Sequence, residues 1–110
     1  MRHVAKRQVS EPVLMILASL AGQPRHGYAL LRDVETLSAG RVRLSTGTLY
    51  GALRRLLEDG WIERFEQADT SRDKQAYKLT DVGRVQLQLE LERMKQFTRA
   101  ASAKLRARVV

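Results

Sequence analysis

Apolar side chains recur along this chain at helical spacing in four stretches, with strand-like alternation between them. The first stretch opens at Ser10-Glu11-Pro12. A serine there can accept from an orphan helix amide and a proline is tolerated in a first turn. A helix is therefore predicted up to Gly22 and Pro24, with Val13, Ile16, Leu17 and Leu20 on its inward stripe. From His26 to about Ser38, the positions Tyr28, Leu31, Val34 and Glu35 predict a second, short amphipathic helix that stops near Gly40. Arg41 to Leu44 alternates charged and apolar residues over too short a span for a helix, and predicts a short strand.

Ser45 is the next N-cap, and Leu49, Ala52, Leu53, Leu56 and Leu57 repeat at helical intervals through Asp59, predicting a third helix. After a turn at Asp59-Gly60, the stretches Trp61 to Glu66 and Ala76 to Leu79 predict a hairpin around a polar loop, Ala68 to Gln75. Thr80 then caps an uninterrupted helical pattern to about Ala107, a helix about 40 Å long at 1.5 Å per residue. Along it Leu87, Leu91, Met94, Thr98, Ala101 and Leu105 form an a/d heptad, while Val82, Val85 and Leu89 form a second stripe near its start. A helix with two apolar stripes needs two partners. The early stripe is expected to dock on its own domain, leaving the heptad for a second chain.

The order helix, helix, short strand, helix, strand, wing, strand, long helix predicts a mainly α fold with a small β-hairpin, a winged helix-turn-helix with a long C-terminal dimerisation helix. Residues 1–9 read as a basic lead-in, 10–79 as the winged domain, and 80–110 as the dimerisation helix and a basic tail carrying Lys104, Arg106 and Arg108.

Charge sharpens this picture. With 20 Lys and Arg against 12 Asp and Glu in 110 residues, the formal net charge of +8 gives a field that attracts polyanions. The length holds one domain, and 44% apolar residues suffice for one core. The start of the chain reads as basic rather than as a signal peptide, and no run approaches a membrane span, so a cytoplasmic location is expected. The chain has no cysteine, and its two histidines, His3 and His26, stand far apart without acidic neighbours at ligand spacing. No cofactor, metal site or catalytic constellation is expected, and an enzyme is the weakest of the readings.

The outer face of the third predicted helix carries Gly47, Tyr50, Gly51, Arg54 and Arg55, small, aromatic and basic, which suits close approach to a nucleic-acid backbone. Arg54 and Arg55 are candidate DNA contacts, with Thr46 and Thr48 offering hydroxyls. Arg72 and Lys74 at the wing tip are candidates for the sugar-phosphate backbone. Tyr28 is a weaker candidate for a phosphate, since it also suits the start of its helix. Phe97, the only aromatic residue of the last helix, flanks the heptad beside Met94, so two copies in a dimer would face a shared cleft open to an effector. A protein-interaction module is the competing reading, but such a face is expected to be apolar and aromatic rather than glycine and arginine.

Three blocks resemble a known family: HGYALLRDVE at His26 to Glu35, LSTGTLYGALRRLLEDGWIE at Leu44 to Glu63, and AYKLTDVGR at Ala76 to Arg84 are similar, in order and spacing, to the PadR family of bacterial regulators. With the first helix, the resemblance covers about residues 10 to 90. It implies a homodimer that represses from a near-palindromic operator and lets go when a small effector binds. A single C-terminal helix is similar to the short branch of that family, some of whose dimers take flat aromatic molecules between subunits. Gly51 stands where the family usually has a proline after the tyrosine, and Thr46 where a proline often follows the serine.

Overall fold

A computed structural model describes residues 9–65 and 75–107. In chain order the elements are α1 (Glu11–Gly22), β1 (Arg25–His26), α2 (Gly27–Leu37), α3 (Thr46–Asp59), β2 (Ile62–Phe65), β3 (Ala76–Leu79) and α4 (Asp81–Arg106). The strands form one antiparallel sheet in the order β1-β3-β2. Tyr77 lies at its centre, opposite Arg25 on one side and Arg64 on the other. This is the winged-helix architecture with a long C-terminal helix.

Helix starts follow their caps. The hydroxyls of Ser10, Ser45 and Thr80 accept from the amides of Val13 (3.3 Å), Thr48 (3.1 Å) and Gly83 (3.0 Å). At the end of α3, Gly60 adopts φ 78°, a left-handed conformation that favours glycine. The Gly60 and Trp61 amides there donate to the carbonyls of Leu57 and Leu56, closing a Schellman motif.

The core gathers Ile16, Leu17 and Leu20 of α1, Leu30 and Val34 of α2, Leu49, Leu53 and Leu56 of α3, Ile62, Tyr77 and Leu79 of the sheet, and Leu87 of α4. Burying a side chain of this size removes about 1.5–3 kcal/mol of unfavourable hydration, so the three helices and the sheet hold one another through this cluster.

Four expectations change. Arg41 to Leu44 is not a strand. Its alternation is real, with Val42 and Leu44 half-buried and both arginines exposed. The buried Ser38 hydroxyl, however, captures the Val42 amide at 2.9 Å, tying the segment to the end of α2. Arg41 pairs with Glu11, and Arg43 with Glu35 at 3.1 Å. The third strand is instead Arg25–His26, too short to announce itself by periodicity.

In α2 the inward face is Gly27, Leu30 and Val34, and Tyr28 turns to solvent. The stripe begins at a glycine, which carries no hydrophobic signal.

In α4 the two stripes exchange roles at the start of the helix. Gly83 and Leu87 face the domain, while Val82, Val85 and Leu89 are exposed. A Cβ at Gly83 would collide with the Trp61 carbonyl, so the helix approaches the domain most closely through Gly83, and Leu87 one turn later follows it inward. Leu87, at 6% exposure, is thus a core residue of its own subunit and not a seam residue.

Candidate nucleic-acid interface

Helix α3 buries Leu49, Leu53 and Leu56, and this orients everything else on it. Gly47, Gly51 and Arg54 fall on the opposite side at helical spacing. The space above both glycines is open, with no atom within 4 Å of where a Cβ would stand. A bare backbone stripe flanked by an arginine is thereby presented to solvent.

Thr48 and Arg55 lie on the flank nearer α1. They line a cleft of about 360 Å³ together with Val9, Ser10, Val13 and Trp61. Thr48 is also engaged at the cap, its Oγ1 accepting from the Ser45 hydroxyl at 2.9 Å. Thr46 is exposed at the first helical position. Tyr50 occupies the other flank, 42% exposed, its hydroxyl resting against Gly27 at the start of α2. Tyr50 therefore joins the two helices of the helix-turn-helix besides facing solvent.

Ion pairing separates the cations into two groups. Arg25, Arg41, Arg43, Lys78 and Arg93 have carboxylate partners within 3.7 Å. Arg54, Arg55 and Arg64 are exposed and form no salt bridge among the described residues. Free guanidinium groups retain their full charge for a polyanion. On α2, Tyr28 is 68% exposed and the Arg32 guanidinium stands 5.7 Å from its ring centre, so the two form one cationic, aromatic patch. Arg72 and Lys74 lie outside the described residues, between strands β2 and β3. At the base of that hairpin Lys78 stands 5.4 Å from the Phe65 ring centre and 3.4 Å from Glu63, holding the two strands face to face.

One positioning knot escaped the sequence reading. Arg25 Nε donates to the Ser19 carbonyl at 3.2 Å, its Nη2 lies 3.5 Å from Asp33, and the Ser19 hydroxyl donates to the same carboxylate at 2.6 Å. The knot ties α1, β1 and α2 together and seats the third strand. Its only trace in the sequence is an arginine after Pro24, which no spacing rule singles out. Tyr77, between Arg25 and Arg64 in the sheet, has its phenol held above the ordinary value of 10.0 by burial, reinforced by Tyr50 and opposed by Arg64.

On α4 the rest of the heptad runs past the domain without cover. Leu91, Met94, Thr98 and Leu105 are exposed and Ala101 is half-buried, while Phe97 beside them is 72% exposed. Among the described residues no helix is long and apolar enough to cross a membrane, and no cluster of His, Asp or Glu has the makings of a metal site.

Comparison with known proteins agrees with this geometry. Residues 16–89 match the model of the transcriptional regulator PadR-like family, a family of regulators and not of enzymes. The chain is 33% identical over 87 residues to an uncharacterized 37.1 kDa protein of a Streptomyces fradiae transposon, covering 79% of this chain and 24% of that protein; it spans about a quarter of that curated relative's length. Among solved structures, a PadR family transcription regulator from Clostridium difficile superposes with a TM-score of 0.73 at 19% identity, covering 87% of this chain and 99% of the other. H. salinarum RosR gives 0.68 at 22% identity over 94% and 100% of the two chains. A PadR-like transcription factor from Bacteroides fragilis gives 0.67 at 23% over 82% and 85%.

Proposed function

The chain belongs to the PadR-like family of transcriptional regulators, and from that premise we propose that it is a cytoplasmic repressor that binds a near-palindromic operator as a homodimer and is released by a small aromatic effector. One helix α3 per subunit enters the major groove. Arg54 and Arg55, with Thr46, Thr48 and Tyr50, contact phosphates and base edges, and Gly47 and Gly51 let the helix backbone come close. Tyr28, Arg72 and Lys74 add contacts to the sugar-phosphate backbone.

The observation that carries this reading is the pairing, on one exposed face of α3, of two open glycines with two arginines that have no carboxylate partner among the described residues. The exposed apolar residues of α4 support the dimer. Leu91, Met94, Thr98, Ala101 and Leu105 meet their counterparts in the partner, and Phe97 and Met94 from both subunits line the effector site. Two-fold symmetry then sets the half-sites about 10 bp, one helical turn, apart.

The test is fluorescence anisotropy with labelled DNA from the protein's own promoter against a scrambled duplex of equal length, at two salt concentrations. Preferential binding to the promoter, saturating at an even number of subunits and weakening steeply with salt, is expected. Equal affinity for both duplexes overturns specific readout. In the same assay Arg54→Ala and Arg55→Ala should each flatten the dependence of log affinity on log salt by about 0.9.

A further inference from the structure

Residues 1–9 carry Arg2, Lys6 and Arg7 and no acidic residue, the first carboxylate of the chain being Glu11. The site described above leaves this charge unused. The fold fixes where it is delivered, because Val9 and Ser10 line the same cleft as Gly47, Thr48, Gly51 and Arg55 of α3. The basic segment thus joins the domain at the flank of the helix assigned to the major groove, on the side of the free Arg55. Had it joined at the far end of α4, its charge would add only to the general field, which at physiological salt decays over about 8 Å.

We infer that residues 1–8 are part of the DNA interface, with Arg2, Lys6 and Arg7 bound to phosphates of the duplex next to the groove that α3 occupies. The inference rests on the assignment of α3 to DNA. Extended at about 3.3 Å per residue, eight residues reach about 26 Å, more than half of the roughly 34 Å helical repeat of the duplex, so the segment spans from the major groove across the bordering backbone. The contacts are to phosphate and carry affinity rather than sequence preference.

The experiment is salt-dependent anisotropy on four full-length proteins: the unaltered chain, the triple variant R2A/K6A/R7A, the double variant R54A/R55A, and K104A/R106A as a control for net charge at the distal end of α4. The triple variant should flatten the log–log salt slope by about 2–3 units, at about 0.9 per phosphate contact. It should keep the preference for promoter over scrambled DNA and melt at an unchanged temperature, while the distal control leaves the slope as it was. A triple variant whose slope parallels the unaltered chain overturns the inference. So does a distal control that flattens the slope as much, since the effect is then general charge. If R54A/R55A changes nothing either, the assignment of α3 falls with it. A flattened slope for R54A/R55A alone leaves that assignment standing.

Discussion

The hydroxyl of Tyr50 fills the space that a Cβ on Gly27 would need. Two residues from different helices thus share one volume, and the closeness of α2 to α3 depends on residue 27 having no side chain. The obstruction is the far end of a half-exposed ring, which has room to swing outward. Gly27→Ala is therefore expected to displace Tyr50 at a cost of about 1 kcal/mol, the low end for overpacking, rather than to unfold the domain. In a Tyr50→Ala background the same change should cost much less. A double-mutant cycle by urea denaturation measures the difference, and additivity would show that the two residues do not share the space.

The glycines of α3 and α4 answer differently to the same substitution. At Gly83 the colliding atoms are the backbone carbonyl carbon and oxygen of Trp61, which cannot rotate aside. Gly83→Ala should cost about 3 kcal/mol or more. At Gly51 a methyl group meets open space, and replacing glycine within a helix gains about 1 kcal/mol. Gly51→Ala should thus melt higher while binding promoter DNA more weakly, because the methyl group stands on the face assigned to the groove. Thermal melts paired with anisotropy check both halves.

Leu87 and Leu91 sit one turn apart on the same stripe but on opposite sides of a boundary. Leu87→Ala should lose about 2–5 kcal/mol of folding stability at any protein concentration. Leu91→Ala should change the stability of the isolated subunit by less than about 0.5 kcal/mol and weaken association instead, seen as dissociation on dilution in sedimentation velocity. Equal, concentration-independent losses for both would mean that the exposed stripe has no partner.

Tyr77 gives the fold a sensitivity to alkali. Its proton is held more tightly in the folded chain than in the unfolded one, whose phenol titrates near 10.0. Its contribution is complete below that pH and is lost as pH rises above it, because the unfolded state releases its proton first. Between about pH 8 and about pH 11 the unaltered chain should lose more stability than Tyr77→Phe, read from denaturant midpoints at each pH. Parallel losses would mean that the phenol feels the same environment in both states.

Capped, strongly periodic elements were legible in the sequence. Ser10, Ser45 and Thr80 announced three helix starts, and Gly60 announced one end, because each acts through local backbone geometry. The leucines of α3 located its inner face, and by subtraction its outer one. What stayed hidden depends on contacts distant in sequence. Arg25–His26 is a strand only because β3 offers it an edge. Leu87 looked like a seam residue because its spacing to Leu91 is that of a heptad, and only the approach of Gly83 to Trp61 decides that it turns inward. Glycine is silent in a hydrophobic pattern, so the two closest helix contacts of the fold, at Gly27 and Gly83, left no periodic trace.

The joint between α3 and α4 is short and stiff. The Thr80 amide donates to the Trp61 carbonyl at 3.0 Å and its hydroxyl to the Gly60 carbonyl at 2.7 Å, so the first turn of α4 grips the peptides that end α3. Such a grip makes α4 a lever with its fulcrum at the end of the groove-facing helix. Over the ~40 Å of a 26-residue helix, a tilt of about 5° moves the free end by about 3 Å. Run in reverse, a displacement of a few ångströms at Leu105 returns to α3 as a rotation of a few degrees, with mechanical advantage in place of a chain of intervening contacts.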